Sequence, residues 1–325
     1  MVIKKIGVLT SGGDSPGMNA AIRSVVRTAL YNGLEVTGIY RGYKGMIEGE
    51  FKPLQSSDVS NIIQRGGTFL YTARCEEFMT PEGRKIAYQN LMKEKIDAVI
   101  VIGGDGSFKG AGIFSEEYEI PFIGIPGTID NDLYGTDYTI GFDTALNTVV
   151  EAVDRIKDTA SAHDRLFFIE VMGRGAGFIA LHSGIACGSE AILIPEVGNQ
   201  EGKLIEYLEQ EKKRKKSSNI ILVAEGNNVG GAHELAKRVE EDFKNYQVRV
   251  NVLGHIQRGG SPSAFDRFLA SRLGVAAVEA LLDNQRSIMV GFMNHDVVHV
   301  PFNKTINFNR NLNQTLLDIA DILTY

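Results

Sequence analysis

Two aspartates follow a short apolar segment in the stretch PGTIDND at positions 126–132. The preceding residues, PFIGIP, are typical of a buried strand, so Asp130 and Asp132 come directly after its carboxyl end. A carboxylate there either caps a helix or takes part in chemistry. One cap does not need Thr128, Asn131 and two aspartates together. The chemistry open to Asp130 is acceptance of a hydroxyl proton, which contributes about 10²–10⁴ in rate.

Two glycine-rich turns indicate phosphate binding. GVLTSGGDSPGMNAAI reads as a strand, a turn and a helix start, and VIGGDGSFKGA repeats that pattern. Adjacent glycines let backbone N–H groups approach a phosphate, and a helix N-terminus adds a favourable dipole. The first turn is neither a Walker A motif nor a complete G-x-G-x-x-G, so an ordinary βα turn is the alternative. Asp105 in the second turn either caps the next helix or faces phosphates across a bridging Mg²⁺.

Basic residues accompany these motifs. Arg165, Arg174, Arg249 and Arg258 each flank a predicted strand, and His255 lies near the last two in the sequence. An arginine fork matches phosphate oxygens, although a lone arginine is usually a solvated surface residue. Four arginines at strand ends favour an anion site over four unrelated surface residues.

Short apolar runs alternate with helical periodicity along the whole chain. The predicted strands are KKIGVLT, EVTGIY, DAVIVIG, PFIGIP, RLFFIEVMG, AILIPE, NIILVAEG and QVRVNVLG. The predicted helices are GMNAAIRSVVRTALYNG, TPEGRKIAYQNLMKE with Thr80 as its N-cap, ALNTVVEAVDRIKDTA, GFIALHSGIAC and a charged helix at about 200–216 whose KKRKK end is typical of a solvated face. This series predicts an α/β protein with two doubly wound, Rossmann-like α/β/α domains and mostly parallel sheets. Sites in such folds lie at the carboxyl edge of the strands, where the motifs above fall.

Composition excludes several functional classes. The chain has 325 residues, of which 43% are hydrophobic and 23% charged, and a net charge of −6. This charge does not favour nucleic acid or an acidic membrane surface as a partner, and an anionic substrate therefore needs a local cluster of cations. Cys75 and Cys187 show no pairing pattern, and no apolar run approaches the roughly 20 residues that span a bilayer. The N-terminus has no signal-peptide pattern, so we expect a cytoplasmic protein.

Six motifs, in this order along the chain, resemble the bacterial ATP-dependent 6-phosphofructokinases. They are GVLTSGGDSPGMNAAIR, RGGTFLYTAR, VIGGDGS, PGTIDND, EVMGRGAG and VLGHIQRGGSPSAFDR. The resemblance implies Mg²⁺-dependent transfer of the γ-phosphoryl of ATP to the 1-hydroxyl of fructose 6-phosphate, the committed step of glycolysis. It also implies a larger ATP-binding domain of residues 1–140 and 256–306 and a smaller fructose 6-phosphate domain of residues 141–255 and 307–325.

The resemblance assigns roles by position. The implied ATP site contains Gly13, Arg74, Cys75, Gly104, Asp105, Gly106 and Ser107, with Asp105 holding Mg²⁺. The implied sugar-phosphate ligands are Thr128, Asp130, Arg165, Met172, Gly173, Arg174, Glu225, Arg249, His255 and Arg258. The implied catalytic residues are Asp130 as proton acceptor, Thr128, Arg174 beside the transferring phosphoryl, and Asp132 in support of the site and the metal. The resemblance further implies that Arg165 and Arg249 reach the site from a neighbouring subunit of a homotetramer, and that His255 and Arg258 hold the 6-phosphate.

The same family has an effector site for ADP and phosphoenolpyruvate between subunits. The matching positions here are Arg23, Arg27, Lys157, Gly188, Ser189, Glu190, Arg214 and Lys216. Lys157 stands where arginine is common, and Ser56 stands where some members carry a basic residue. Because lysine and arginine are not equivalent phosphate binders, allosteric control is less well supported than catalysis.

Three alternatives remain beside this interpretation. Pyrophosphate-dependent phosphofructokinases typically carry aspartate and lysine at the positions of Gly106 and Gly127, and Gly106 leaves room for a nucleotide α-phosphate. Other kinases with GGDG, such as NAD and diacylglycerol kinases, lack PGTIDND together with GHIQRGG. A non-catalytic nucleotide sensor is the third alternative, and intact Asp105, Asp130 and Arg174 argue against it.

Overall fold

The computed structural model describes residues 3–160, 165–198, 202, 204–209, 219–227, 230–243 and 247–323. The chain divides into two compact units. The first contains Met1–Ile129, Leu133–Thr144 and Arg258–Arg310, and the second contains Asp130–Asp132, Ala145–Gln257 and Asn311–Tyr325. The assignment of ATP to one domain and fructose 6-phosphate to the other stays a prediction, because neither unit by itself shows which ligand it binds.

Eleven strands form two sheets within the described residues. The strands are β1 (Lys5–Thr10), β2 (Glu35–Ile39), β3 (Phe51–Pro53), β4 (Ala98–Gly103), β5 (Phe122–Pro126), β6 (Arg165–Val171), β7 (Ala191–Leu193), β8 (Asn219–Ala224), β9 (Gln247–Val252), β10 (Ile288–Met293) and β11 (Asp296–Pro301). The first unit holds a seven-stranded sheet in the order β11-β10-β5-β4-β1-β2-β3, parallel except at its edge strands β3 and β11. The second unit holds a four-stranded parallel sheet in the order β7-β8-β6-β9.

Helices connect these strands. The described helices are α1 (Met18–Tyr31), α2 (Tyr43–Glu48), α3 (Pro81–Lys93), α4 (Asp105–Tyr118), α5 (Phe142–Ala160), α6 (Phe178–Cys187), α7 (Ala232–Asp242), α8 (Ala264–Leu282), α9 (Phe302–Asn307) and α10 (Gln314–Leu323), with short 3₁₀ helices at Glu77–Met79 and Gly254–Arg258. None of the helices in the described ranges is both long and apolar enough to cross a membrane.

The large sheet is buried on both faces. Alternate residues of β4 point in opposite directions, so Ile100 and Ile102 pack in one hydrophobic cluster while Val99 and Val101 pack in another. Helices α1 and α8 cover the first cluster, and α3 and α4 cover the second. These three layers confirm the predicted doubly wound α/β architecture for this unit.

The sequence pattern predicts the first nine strands except β3. It does not predict α2, α7, α8, α9, α10, β10 or β11. The charged helix expected at about 200–216 is helical at 204–209, and most of its remaining residues lie outside the described ranges. Helix α8 has no clear amphipathic period because buried residues lie on most of its circumference, from Leu269 to Leu281. Strand β3 is only three residues long, and two of them are exposed, which leaves no apolar signal.

Thr80 caps α3, as predicted. Its Oγ1 accepts the N–H of Gly83 at 3.1 Å and donates to Glu77 O at 2.7 Å, and Pro81 occupies the first helical position. We expect Thr80→Ala to lower the free energy of unfolding by about 1 kcal/mol, because the Gly83 amide loses its acceptor. Urea unfolding monitored by circular dichroism measures the change. Thr80→Ser keeps the hydroxyl and is the control, and an equal loss in both variants would argue against the cap.

Candidate active site

Three strands of the first unit end side by side. Ser11 N donates to Ile102 O at 3.0 Å, and Gly127 N donates to Gly103 O at 2.9 Å. Because β1, β4 and β5 are parallel neighbours, the turns that follow them share the carboxyl edge of the sheet. The two glycine turns and the PGT segment therefore meet there.

The glycines of the second turn differ in what surrounds them. A Cβ on Gly103 would lie 2.6 Å from Ser11 O, so the β1 and β4 segments can approach only with glycine there. A Cβ on Gly104 would have Thr128 Cβ as its nearest neighbour at 3.7 Å, and one on Gly106 would meet nothing within 4 Å. The N-terminus of α4 thus opens onto free space of the kind that a phosphate needs.

Asp105 does not cap α4. The cap residue is Gly104, and Asp105 is the first helical residue with an exposed side chain, so the helix-cap alternative is wrong. No group of three or more His, Cys, Asp or Glu that could hold a metal occurs among the described residues. A single exposed carboxylate beside phosphate-sized space fits Mg²⁺, which commonly takes one or two carboxylates together with phosphate oxygens and water.

The start of α4 is supported by an aromatic pair that sequence reasoning missed. The hydroxyl of Tyr43 donates to Ser107 O, and its ring stacks on Phe78 with centroids 4.1 Å apart. Burial raises the pKa of Tyr43, so this phenol remains protonated and a donor. A Cβ on Gly110 would lie 3.3 Å from both rings, and this glycine inside a helix is the sequence signal of close packing.

The segment before Arg74 and Cys75 lies along the first turn. Thr72 Oγ1 donates to Gly12 O at 2.7 Å, and Thr10 Oγ1 donates to Tyr71 O at 2.9 Å. The Arg74 side chain is exposed, whereas Cys75 is half-buried, and burial raises the pKa of its thiol. Cys75 is therefore a packing residue of this edge rather than a thiolate nucleophile.

Arg258 lies against the first glycine turn. Its Nη1 donates to Asp14 O at 3.2 Å, and a Cβ on Gly13 would lie 2.5 Å from the same nitrogen. The guanidinium can occupy this position only because residue 13 is glycine. A permanent positive charge is thereby fixed beside a turn that is shaped for phosphate.

The PGTIDND segment is largely buried. Thr128 and Asp130 are each 7% exposed and Asn131 is 1% exposed, while Asp132 is half-buried. Asn131 has a φ of +54°, which places the two aspartates on either side of a left-handed residue. Asp130 is therefore an acidic side chain largely removed from water, where its interactions with a bound ligand are little screened.

Asp266 anchors the chain that supports Thr128. Its carboxylate is fully buried and accepts N–H groups of Gly141 and Thr144, each at 2.8 Å. Burial raises the pKa of Asp266 to about 6. Two residues before Gly141, Thr139 Oγ1 donates to Thr128 O at 2.6 Å. Asp266 belongs to the quoted SPSAFDR motif, but sequence reasoning gave it no role.

Three acceptors hold the loop after β6 in the second unit. Met172 N donates to Gln257 Oε1 at 3.2 Å, Arg174 N donates to Glu225 Oε1 at 2.6 Å, and Gly177 N donates to Glu196 Oε1 at 2.8 Å. Each acceptor comes from a segment that follows a different strand of the sheet. Glu225 was predicted as a ligand for sugar hydroxyls, whereas Glu196 and Gln257 were missed.

This loop has an unusual backbone. Gly173 has a φ of +146° and Arg174 a φ of +58°, a conformation that a non-glycine residue adopts only when its surroundings hold it. A Cβ on Gly226 would overlap the carbonyl oxygen of Arg174. The result is an exposed Arg174 side chain on a fixed backbone.

Arg165 and Arg174 lie at opposite edges of the small sheet. Arg165 is the first residue of β6, and Arg174 follows its last residue, which separates them by about 20 Å of extended strand. Arg249 lies within β9 opposite Phe167, near the same edge as Arg165, and its side chain is exposed. The four arginines therefore do not all lie at the carboxyl ends of strands. Arg165 Nε is buried and makes no hydrogen bond to any residue that the structure describes.

Comparison with known proteins decides the family. The phosphofructokinase family model matches residues 5–281. The chain belongs to the phosphofructokinase family. It is 57% identical over 322 residues to ATP-dependent 6-phosphofructokinase 2 of Bacteroides thetaiotaomicron, with 99% of each chain covered. It is 56% identical over 321 residues to ATP-dependent 6-phosphofructokinase 1 of Thermus thermophilus, again with 99% of each covered.

Solved phosphofructokinase structures show the same fold. The structure of phosphofructokinase from Saccharomyces cerevisiae matches with a TM-score of 0.89 and 36% identity, covering 99% of this chain. This chain spans 48% of the yeast chain. A pyrophosphate-dependent phosphofructokinase from Marinobacter aquaeolei matches with a TM-score of 0.85, covers 99% of this chain and 92% of that one, and is 23% identical, which supports the fold alone.

The effector residues implied by the family resemblance fall on both units. On α1, burial and the neighbouring Arg27 charge lower the pKa of Arg23, as expected where two guanidinium groups face one another. In the second unit, Lys157 Nζ donates to the carbonyl oxygens of Cys187 and Gly188 at the end of α6. Ser189 is buried beside this end, and Glu190 lines a cavity of about 450 Å³. Arg214 and Lys216 lie outside the described residues.

Proposed function

We propose that this member of the phosphofructokinase family transfers the γ-phosphoryl of ATP to the 1-hydroxyl of fructose 6-phosphate, giving fructose 1,6-bisphosphate and ADP. This is the committed step of glycolysis. One observation carries the proposal: the α4 N-terminus, open in front of Gly104 and Gly106, lies beside the segment of Thr128 that leads to Asp130. The relatives named ATP-dependent 6-phosphofructokinase support the same reaction.

Asp130 is the proton acceptor in this proposal. It orients the 1-hydroxyl and takes its proton as the oxygen attacks the γ-phosphorus. Its burial supports the role, because a largely desolvated carboxylate interacts strongly with the hydroxyl. Phosphoryl transfer needs mainly positioning and neutralisation of charge, so one well-placed carboxylate is sufficient for the acceptor side.

Cations act on the donor side. Gly13, Gly104 and Gly106 offer backbone amides to the phosphates beside Ser107, Arg74 and Cys75 flank the nucleotide, and Asp105 would hold Mg²⁺ with support from Asp132. Mg²⁺ held there would offset the negative charge of the phosphates. Arg174 presents its exposed guanidinium to the transferring group.

The sugar phosphate is bound by side chains that follow the strands of the second unit. Met172, Gly173 and Glu225 contact the sugar, and His255 meets the 6-phosphate together with Arg258. Arg165 in β6 and Arg249 in β9 lie near the amino ends of these strands, whereas the sugar-phosphate ligands follow the carboxyl ends. We therefore propose that the two arginines complete the pocket of a neighbouring subunit in a homotetramer. The buried Nε of Arg165, which has no partner among the described residues, supports an anion supplied from outside the chain.

We further propose a cytoplasmic enzyme regulated by ADP and phosphoenolpyruvate. The free cysteines Cys75 and Cys187 are consistent with a reducing compartment. Lys157 of α5, whose Nζ donates to carbonyl oxygens at the end of α6, and the Arg23–Arg27 pair on α1 provide positive charge for phosphorylated effectors.

A coupled assay with ATP, Mg²⁺ and fructose 6-phosphate tests the reaction. Aldolase cleaves the fructose 1,6-bisphosphate, and glycerol 3-phosphate dehydrogenase reduces one of the resulting triose phosphates with NADH. The oxidation of NADH is followed by its absorbance. Turnover with ATP and little with pyrophosphate supports the proposal. Turnover only with pyrophosphate would establish the rival donor, and binding of ATP without turnover would establish the nucleotide sensor.

Gly106 sets the choice of phosphoryl donor in this proposal. We expect Gly106→Asp to raise the ratio of pyrophosphate to ATP efficiency by at least about tenfold, because the carboxylate enters the space for the α-phosphate and repels it. The free space at Gly106 predicts normal folding of the variant. Values of kcat/KM for both donors measure the change.

The pair Gly106→Asp with Gly127→Lys should shift preference further toward pyrophosphate, since lysine adds charge for a smaller donor. This change is sterically harder, because a Cβ on Gly127 would lie 3.0 Å from Ile102 Cγ2 and 3.2 Å from Met18 Cε. Gly106→Ala is the control and should leave the ratio nearly unchanged. An unchanged ratio in both aspartate variants would show that these glycines do not determine the donor.

A further inference from the structure

Gln257 occupies an inward position in a turn whose neighbouring residues face outward. It lies in the 3₁₀ helix Gly254–Arg258 and is fully buried, whereas His255 and Ile256 are exposed. A buried amide carries two strong polar groups, and each needs a partner if burial is not to be costly. Its side chain is therefore placed for contacts inside the protein rather than for substrate.

Both polar groups of this amide are used. Oε1 accepts the N–H of Met172 at 3.2 Å, and Nε2 donates to Gly254 O at 3.0 Å. The parallel pairing between β6 and the chain after β9 ends with Leu253 N donating to Glu170 O. Beyond that point the side chain of Gln257 continues the connection between the two segments.

The connected segments are those that carry sugar-phosphate ligands in the proposed function. One is the turn with His255, and the other is the loop with Met172, Gly173 and Arg174. The loop has a strained backbone at Arg174, so its position depends on the acceptors that hold it. A change at Gln257 therefore alters the spacing between two groups of ligands without removing any of them.

We propose that Gln257 is a positioning residue that fixes the His255 turn to the Met172–Arg174 loop and thereby sets the affinity for the sugar phosphate. Glutamine suits this task because one amide accepts and donates at once. Methionine has a similar length and does neither. An ionised glutamate can still accept from Met172 N but cannot donate to Gly254 O, the bond that orients the side chain toward the loop. The inference rests on the proposed function for the identity of the ligand, fructose 6-phosphate.

The first test is the KM for each substrate in Gln257→Met. We expect the KM for fructose 6-phosphate to rise about tenfold, the effect of losing one or two buried hydrogen bonds, while the KM for ATP stays within about twofold. Asn90→Leu is the matched control, because it removes the amide bonds from Nδ2 to Met46 O and Ile47 O in the first unit. It should lower the Tm and leave the KM for fructose 6-phosphate unchanged.

The second test uses protonation to restore the missing donor. In Gln257→Glu, burial raises the pKa of the introduced carboxyl group, and its neutral form again both donates and accepts. We expect the ratio of its KM for fructose 6-phosphate to that of wild type to fall toward one as the pH decreases from 8 to 6. Glu170, Glu196, Glu225 and His255 are present in every protein compared, so the ratio removes their own titration. The ratio for Gln257→Met should not change with pH.

Two results would overturn the inference. One is an unchanged KM for fructose 6-phosphate in a folded Gln257→Met enzyme, even if its Tm is lower. The other, decisive if that variant does not fold, is a KM ratio for Gln257→Glu that stays constant over this pH range. Failure of the proposed function would be distinct, because wild-type enzyme would then show no turnover of fructose 6-phosphate with ATP.

Discussion

Replacing Asp130 with asparagine should lower kcat by about 10²–10⁴, which corresponds to roughly 3–5 kcal/mol of barrier. The asparagine side chain keeps the size of the buried aspartate but cannot accept the hydroxyl proton as the oxygen attacks. Steady-state kinetics gives kcat, and isothermal titration calorimetry gives the binding of ATP and fructose 6-phosphate. Both ligands should bind nearly as they do to the wild type.

The exposed Asp283 at the end of α8 offers a matched control. Asp283→Asn makes the same chemical change in solvent and should leave kcat within about twofold of wild type, as is usual for surface substitutions. An Asp130→Asn enzyme with activity within tenfold of wild type would show that another group accepts the proton.

Mixing two inactive variants should restore activity if each pocket is built from two subunits. In the proposal, Asp130 lies in the pocket of its own chain. Arg165 lies at the amino end of β6 and enters the pocket of a neighbouring subunit. Hybrid tetramers of Asp130→Asn and Arg165→Ala subunits would contain some pockets with both lesions and some with neither. Activity measured after reversible dissociation and reassociation should reach a substantial fraction of wild type, which neither parent attains.

A second mixture tests the geometry of this argument. Asp130→Asn combined with Arg174→Ala places both lesions in residues that a chain supplies to its own pocket, so each pocket keeps one lesion and activity should not recover. Native mass spectrometry verifies that hybrids have formed. If hybrids of the first mixture show only the average of their parents, Arg165 acts within its own chain.

The local signals in the sequence were sufficient for much of the architecture. Thr80 followed by Pro81 predicts the α3 start, and the apolar runs predict β1, β4 and β5, whose alternating residues face two clusters. These features depend on residues close together in the chain, where capping and periodicity act. The position of the glycine turns at one sheet edge then follows from parallel pairing.

The supporting contacts of the site could not be predicted in the same way. Glu196 and Gln257 reach the loop after β6 because β7 and β8 lie on one side of β6 and β9 lies on the other, an order that no local pattern encodes. For Asp105 the local rule supports the alternative that the structure excludes, since aspartate is a good N-cap but Gly104 takes that place. The sequence pattern places all four arginines at strand ends but does not show which end each one occupies, and the direction of β6 separates Arg165 from Arg174.

The glycines named above differ in why a larger residue would not be tolerated in their place. A methyl group at Gly226 would overlap the Arg174 carbonyl oxygen, and one at Gly103 would press on Ser11 O, whereas Gly106 has free space around it. Intolerance to alanine at the first two positions would therefore report the packing of one peptide against another, with no ligand involved. Intolerance at Gly106 would report the ligand. A library of single alanine substitutions, sorted by folding and by turnover, would thus separate the residues that shape the pocket from those that leave room for its contents.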